Sequence, residues 1–304
     1  TLDRSSAASD VYKRQNFFIT PFIVHPALRD ALWAILYESF SVAPIGVFLM
    51  MRRMTLMGDA LSHAVLPGVA IGFLLAGYEN SLWMSVGGLL TGLIVMIAAS
   101  WATQKTRLKE DANFTGFYLF SLALGVLIIS FYGGDEEIVH VLFGSLSSVK
   151  RSSLLLLAII STVTLLGLAT LYRPLYLESA FPSLFFPRNS KKGFILLFFQ
   201  IMVVFNLIGS FQTLGTLLGV GLIMIPAISA SLWVSRAGHL IALSWAIAII
   251  SSFFGLVFSY HLRIDSGALI ITLCGLFYLL SLLIAPHAVL GKRMGRKKRG
   301  LKTV

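Results

Sequence analysis

The segment Gly58-Asp-Ala-Leu-Ser-His-Ala-Val-Leu-Pro-Gly68 sets a carboxylate and an imidazole one helical turn apart within an apolar stretch that continues to Ala76. Ionisable groups in hydrocarbon are costly, by roughly 3 kcal/mol or more at a bilayer centre, and they mark ion or substrate paths. Asp59 and His63 stand at i and i+4, so on a helix their side chains lie about 40° apart and share a face. Ser62 is expected on the same side. Pro67 lacks the amide that would bond the His63 carbonyl, which predicts a kink and a free oxygen. A carboxylate, an imidazole, a hydroxyl and a loose carbonyl suit a borderline divalent cation. The alternative is an Asp59–His63 pair that merely fastens two helices.

Other chemistry is excluded or weaker. Ser62 and His63 are adjacent and point apart on a helix, which disfavours a serine–histidine hydrolase. The chain has no Gly-x-x-x-x-Gly-Lys-Ser/Thr loop for ATP and no His-Glu-x-x-His. Glu38, within the first apolar run, is expected to line the path or to bond a neighbouring helix. Asp135, Glu136, Glu137 and His140 form an acidic patch that reads as a solvated loop, with docking of a partner as the alternative. His261 and Asp265 are expected to be solvated, and His239 and His287 to sit at helix ends.

These groups need helices to position them, and the composition puts the helices in a membrane. Apolar residues make up 57% of the 304 and charged ones 12%, against about 25% charged in soluble domains. The net charge of +11 suggests nucleic acid, but the basic residues cluster in short loops and at the C-terminus, as on a cytoplasmic membrane face. The single cysteine, Cys274, falls in an apolar run, so no disulfide framework is possible. Residues 1–15 are polar and unlike the rest, and are read as a non-native leader.

A helix needs about twenty apolar residues to span a bilayer. Nine runs qualify, near residues 31–51, 59–77, 82–102, 113–132, 153–172, 193–210, 213–233, 240–259 and 267–285. Residues 138–148 are too short to span. The expected fold is all-α, a polytopic membrane bundle of about nine transmembrane helices. Alternate loops hold Arg52 and Arg53, then Lys105, Arg107 and Lys109, then Arg173, Arg188, Lys191 and Lys192, then Arg236 and the basic tail. The opposite side holds Arg29, Lys150, Arg151 and Arg263, plus Arg4, Lys13 and Arg14 in the leader set aside as non-native, so the first set is expected to be cytoplasmic, together with the C-terminus. The tail, residues 291–304, reads as a basic segment against anionic lipid. The 213–233 run carries Gly215, Gly219, Gly221 and Pro226. Gly215 and Gly219 suggest a close helix contact, and Pro226 a break at membrane depth.

The run from Arg53 to Gly72, centred on Gly-Asp-Ala-Leu-Ser-His, resembles the permease subunit of bacterial zinc, manganese or iron importers of the ATP-binding-cassette class. The likeness continues at Arg107–Asp111, Leu142–Gly144, Gly219–Ala230, Ser259-Tyr260, Ser266-Gly267 and Ala285-Pro286. It implies a permease domain over residues 16–290 in the bacterial cytoplasmic (inner) membrane, with Asp59 and His63 contacting the metal and Ser62 and Glu38 as weaker candidates. It also implies a second permease copy or paralogue, a cytoplasmic ATP-binding-cassette ATPase and an extracytoplasmic metal-binding protein. No cofactor would be bound permanently; the divalent cation is the cargo. Such permeases meet the ATPase through a loop after the fifth span, here Tyr176 to Lys192. Its usual Asp-Pro-Glu start is replaced by Ser179-Ala-Phe-Pro182, and Phe181, Leu184, Phe185 and Phe186 would supply the apolar anchor. A permease for a metal chelate or siderophore, which needs a wider and more neutral path, is the alternative.

Overall fold

In hydrocarbon no water is available to backbone amides, so apolar runs must close their hydrogen bonds internally as helices. The computed structural model describes residues 17–76, 81–106, 110–132, 151–180 and 190–285. Among them every regular element is helical: α1 (Pro26–Met51), α2 (Met57–Ala64), α3 (Leu66–Ala76), α4 (Ser81–Lys105), α5 (Glu110–Tyr132), α6 (Arg151–Ala180), α7 (Ser190–Leu214), α8 (Thr216–Ser231), α9 (Ala237–Leu262) and α10 (Ser266–Ile284). With α2 and α3 taken together, eight spans are long and apolar enough to cross a membrane; α8, at 16 residues, is shorter. These elements match the nine apolar runs in order. The stretch 138–148, the acidic patch at 135–137 and the basic tail lie outside the described residues.

The bundle is organised around α1. Ala34, Ile35, Val42, Ile45, Phe48 and Leu49 have no exposed surface, and α6, α7, α8 and α9 pack around them. Phe48 meets Phe199 of α7 and Tyr172 of α6 edge-on, with centroids 6.2 and 5.8 Å apart. Lipid tails are as apolar as leucine, so close packing and interhelical hydrogen bonds hold such a bundle together. Ser161 of α6 donates to the Tyr37 carbonyl at 2.8 Å, and Asn206 of α7 donates to Thr164 of α6. Each such bond contributes about 0.6 kcal/mol. On α5 and α10 the outward residues are apolar, among them Phe120, Phe131, Leu279 and Leu283, as a lipid-facing surface requires.

The elements depart from the expected helices at three points. The 213–233 run is interrupted at Gly215, whose φ of 87° lies where a side chain is strained. Gly215 therefore makes the corner between α7 and α8 and not a contact face. Pro226, expected to break the helix, lies inside an uninterrupted α8. In addition, α6 extends to Ala180, so Tyr176 at the start of the expected loop is still helical. Phe181, Leu184, Phe185 and Phe186 lie outside the described residues.

The turn from α1 into α2 is closed by three backbone bonds. Arg52 N–H bonds the Phe48 carbonyl, Arg53 N–H that of Met50, and Met54 N–H that of Leu49. This is a Schellman closure with Arg53 in the left-handed position, φ 61°. A non-glycine residue there costs about 1–2 kcal/mol, so the turn is held by its surroundings.

Candidate cation site on a broken helix

The eight residues of α2 bury Met57, Gly58, Ala60, Leu61, Ser62 and Ala64 and leave Asp59 and His63 outside. The two side chains are 71% and 53% exposed, with His63 Nε2 4.0 Å from Asp59 Oδ1. That separation is at the limit of an ion pair and too long for a hydrogen bond. Among the described residues neither group fastens α2 to another helix of this chain. Asp59 stands in the first turn of α2 and His63 in the last, the ends at which the helix dipole favours an anion and a cation, each by about 0.3–1 kcal/mol.

The break after α2 is centred on Val65. Pro67 does not kink a continuous helix. It is the second residue of α3, where a missing amide proton costs no helical bond. The buried carbonyls at the break are met from neighbouring helices. Ser121 of α5 donates to the Ala64 carbonyl at 2.7 Å. Thr91 of α4 lies 3.3 Å from the Val65 carbonyl and is shared with its own helix. Behind them α3 and α4 touch backbone to backbone, since a Cβ at Gly68 would strike the Gly87 carbonyl.

The other expected ligands are elsewhere. Ser62 is buried and donates at 2.6 Å to the Asp59 carbonyl within its own helix, a common fate of helical serine. Its hydroxyl is turned away from the pair. Glu38 is 1% exposed inside the bundle, with the Ser210 hydroxyl of α7 beside it, and it does not share the exposed face of Asp59 and His63. His261 and Asp265, expected to be solvated, are exposed and also have local roles. The His261 ring stacks on Phe17 with centroids 3.9 Å apart, and Asp265 caps α10 by accepting from the Ala268 amide at 2.9 Å.

Sequence reasoning missed one buried pair. Arg52 Nη1 lies 3.1 Å from Glu178 Oε2, with side chains only 7% and 11% exposed. In the sequence Arg52 reads only as a loop charge. The available signal was that α1 and α6 end on the same side of the bundle.

The described residues hold no cluster of three or more His, Cys, Asp or Glu able to hold a metal, so among them Asp59 and His63 stand as a candidate pair of ligands. Comparisons with known proteins agree with the fold. The chain is 30% identical over 261 residues to the manganese import system permease protein ScaB of Streptococcus parasanguinis, covering 85% of this chain and 91% of the relative. It is 29% identical over 271 residues to the chelated iron transport system membrane protein YfeC of Yersinia pestis, covering 86% and 88%. Its structure matches PsaBC from Streptococcus pneumoniae, solved in complex with a Fab, with a TM-score of 0.75 and 25% identity over 92% of this chain and 98% of that one. The sequence profile of the ABC 3 transport family matches residues 24–285. The chain therefore belongs to the ABC 3 transport family and is a membrane permease subunit, with ATP hydrolysis residing in a separate chain.

Proposed function

We propose that this permease conducts a divalent transition-metal cation inward, with Asp59 and His63 as its contacts in the path. The observation that carries the reading is the outward aim of these two groups from a helix otherwise buried. A carboxylate and an imidazole facing lipid would be costly, so their face belongs to water or to another copy of the chain. Two ligands are too few for a transition metal, which takes four to six. A second permease copy across a two-fold axis supplies the remainder and encloses the path. The names of ScaB and YfeC support manganese or iron as cargo, whereas the donors themselves are mixed, the carboxylate suiting manganese and the imidazole iron or zinc.

The partners follow from the same reading. The Lys- and Arg-rich end, at which α1, α4, α6 and α8 finish, is the cytoplasmic end and meets the ATPase. The opposite end receives an extracytoplasmic metal-binding protein. The chain lies in a bacterial cytoplasmic membrane with its C-terminus inside.

A chelate importer is the second reading, favoured by the name of YfeC. A chelate brings its own ligands and gains nothing from Asp59 and His63. The test is uptake of manganese, ferrous iron and zinc, alone, in competition and as chelates, in cells lacking other importers. Asp59→Ala and His63→Ala should each abolish uptake of the free cation while leaving membrane insertion intact. Normal uptake by both variants sinks the assignment, and uptake of the chelate alone selects the second reading.

A further inference from the structure

The Arg52–Glu178 pair, 3.1 Å apart and nearly enclosed, joins two parts of the chain far apart in sequence. Arg52 caps α1 and begins the Schellman turn, and α2 starts five residues later at Met57. Glu178 lies in the last turn of α6, which ends at Ala180. Both helix ends belong to the Lys- and Arg-rich end of the bundle. A buried ion pair recovers little more than its own desolvation, so it is weak as a source of stability and better suited to fixing the register of two elements. The turn it grips is rigid as well, closed by three backbone bonds around Arg53 at positive φ. From that turn α2 carries Asp59 and His63 up to the break at Val65, where Ser121 and Thr91 receive the helix end.

We propose that the Arg52–Glu178 pair is a strut that passes displacement of the end of α6 to the cation-contacting helix α2, so that ATP hydrolysis on the cytoplasmic side is converted into movement of Asp59 and His63. The pair is a positioning element and touches no cargo. The inference rests on the function proposed above. It requires a separate ATPase at this end, and it assigns the route by which the work of that ATPase reaches the site. Arg52 and Glu178 hold the ends of α1 and α6 in one register, and the closed turn leaves little slack between Arg52 and Met57.

The test is the permease complexed with its ATPase subunit in proteoliposomes, with manganese transported and ATP hydrolysed measured on the same sample. Glu178→Gln and Arg52→Gln should each lower the ratio of manganese transported to ATP hydrolysed by about fivefold or more, the lower bound of a typical coupling between sites, while hydrolysis continues. The charge-swapped variant Arg52→Glu with Glu178→Arg should restore the ratio. A merely structural pair would lower the yield of inserted protein without changing the ratio in the protein that remains. A wild-type ratio in Glu178→Gln, a reduced yield with the ratio intact, or a swap that fails to rescue overturns the strut. Failure of the wild-type complex to move manganese, ferrous iron or zinc would instead overturn the proposed function.

Discussion

Ser121 of α5 donates its hydroxyl proton to the Ala64 carbonyl at 2.7 Å, one residue beyond His63. This bond ties the end of the helix that carries Asp59 and His63 to a span whose other face is apolar and exposed. A buried carbonyl left without a donor costs about 1–3 kcal/mol, and here the cost falls on the orientation of His63. Ser121→Ala should insert normally and lower uptake severalfold, measured as the initial rate of cation entry into vesicles. An unchanged rate would mean that Thr91 alone fixes the break.

Exchanging the oxygen ligand for nitrogen tests which chemistry the path reads. Carboxylate suits manganese, whereas imidazole suits zinc. Asp59→His should therefore raise zinc uptake relative to manganese, measured as the ratio of the two in competition. A ratio unmoved from wild type would remove Asp59 from the path.

Much of this was legible in the sequence, for a physical reason. Membrane spans are long apolar runs, so the order of the helices follows from hydropathy, and the pairing of Asp59 with His63 follows from helical spacing. The side chain of Ser62 did not follow. It lies about 60° round the helix from Asp59, on the side away from His63, and only packing decides which flank is buried. The place of the α7–α8 corner was also hidden: Pro226 is the stronger local signal, yet Gly215 takes positive φ and the proline is accommodated in α8. The contact between Arg52 and Glu178 depends on the register of α1 against α6, which a single sequence does not encode locally.

The approach of α3 to α4 predicts a contrast between two glycines. A Cβ at Gly68 would strike the Gly87 backbone, whereas one at Gly116 of α5 meets nothing within 4 Å. Gly68→Ala should destabilise by about 1–3 kcal/mol or more, and Gly116→Ala should be neutral or stabilising by up to about 1 kcal/mol. Thermal unfolding of the detergent-solubilised protein checks both. Equal midpoints for the two variants would mean that α3 and α4 are not in close contact.

The segment after α6 carries the remaining prediction. Phe181, Leu184, Phe185 and Phe186 follow Ala180 among several basic residues, a composition suited to an apolar anchor on the cytoplasmic side. Buried aromatics tend to dominate such contacts, each losing about 2 kcal/mol or more on truncation. Replacing Phe185 and Phe186 together with alanine should therefore abolish co-purification of the ATPase subunit while the permease still inserts and folds. A cysteine placed in this segment should resist membrane-impermeant reagents in intact cells and react in inverted vesicles. Undiminished association of the double variant, or labelling from outside, would move the ATPase contact to another loop.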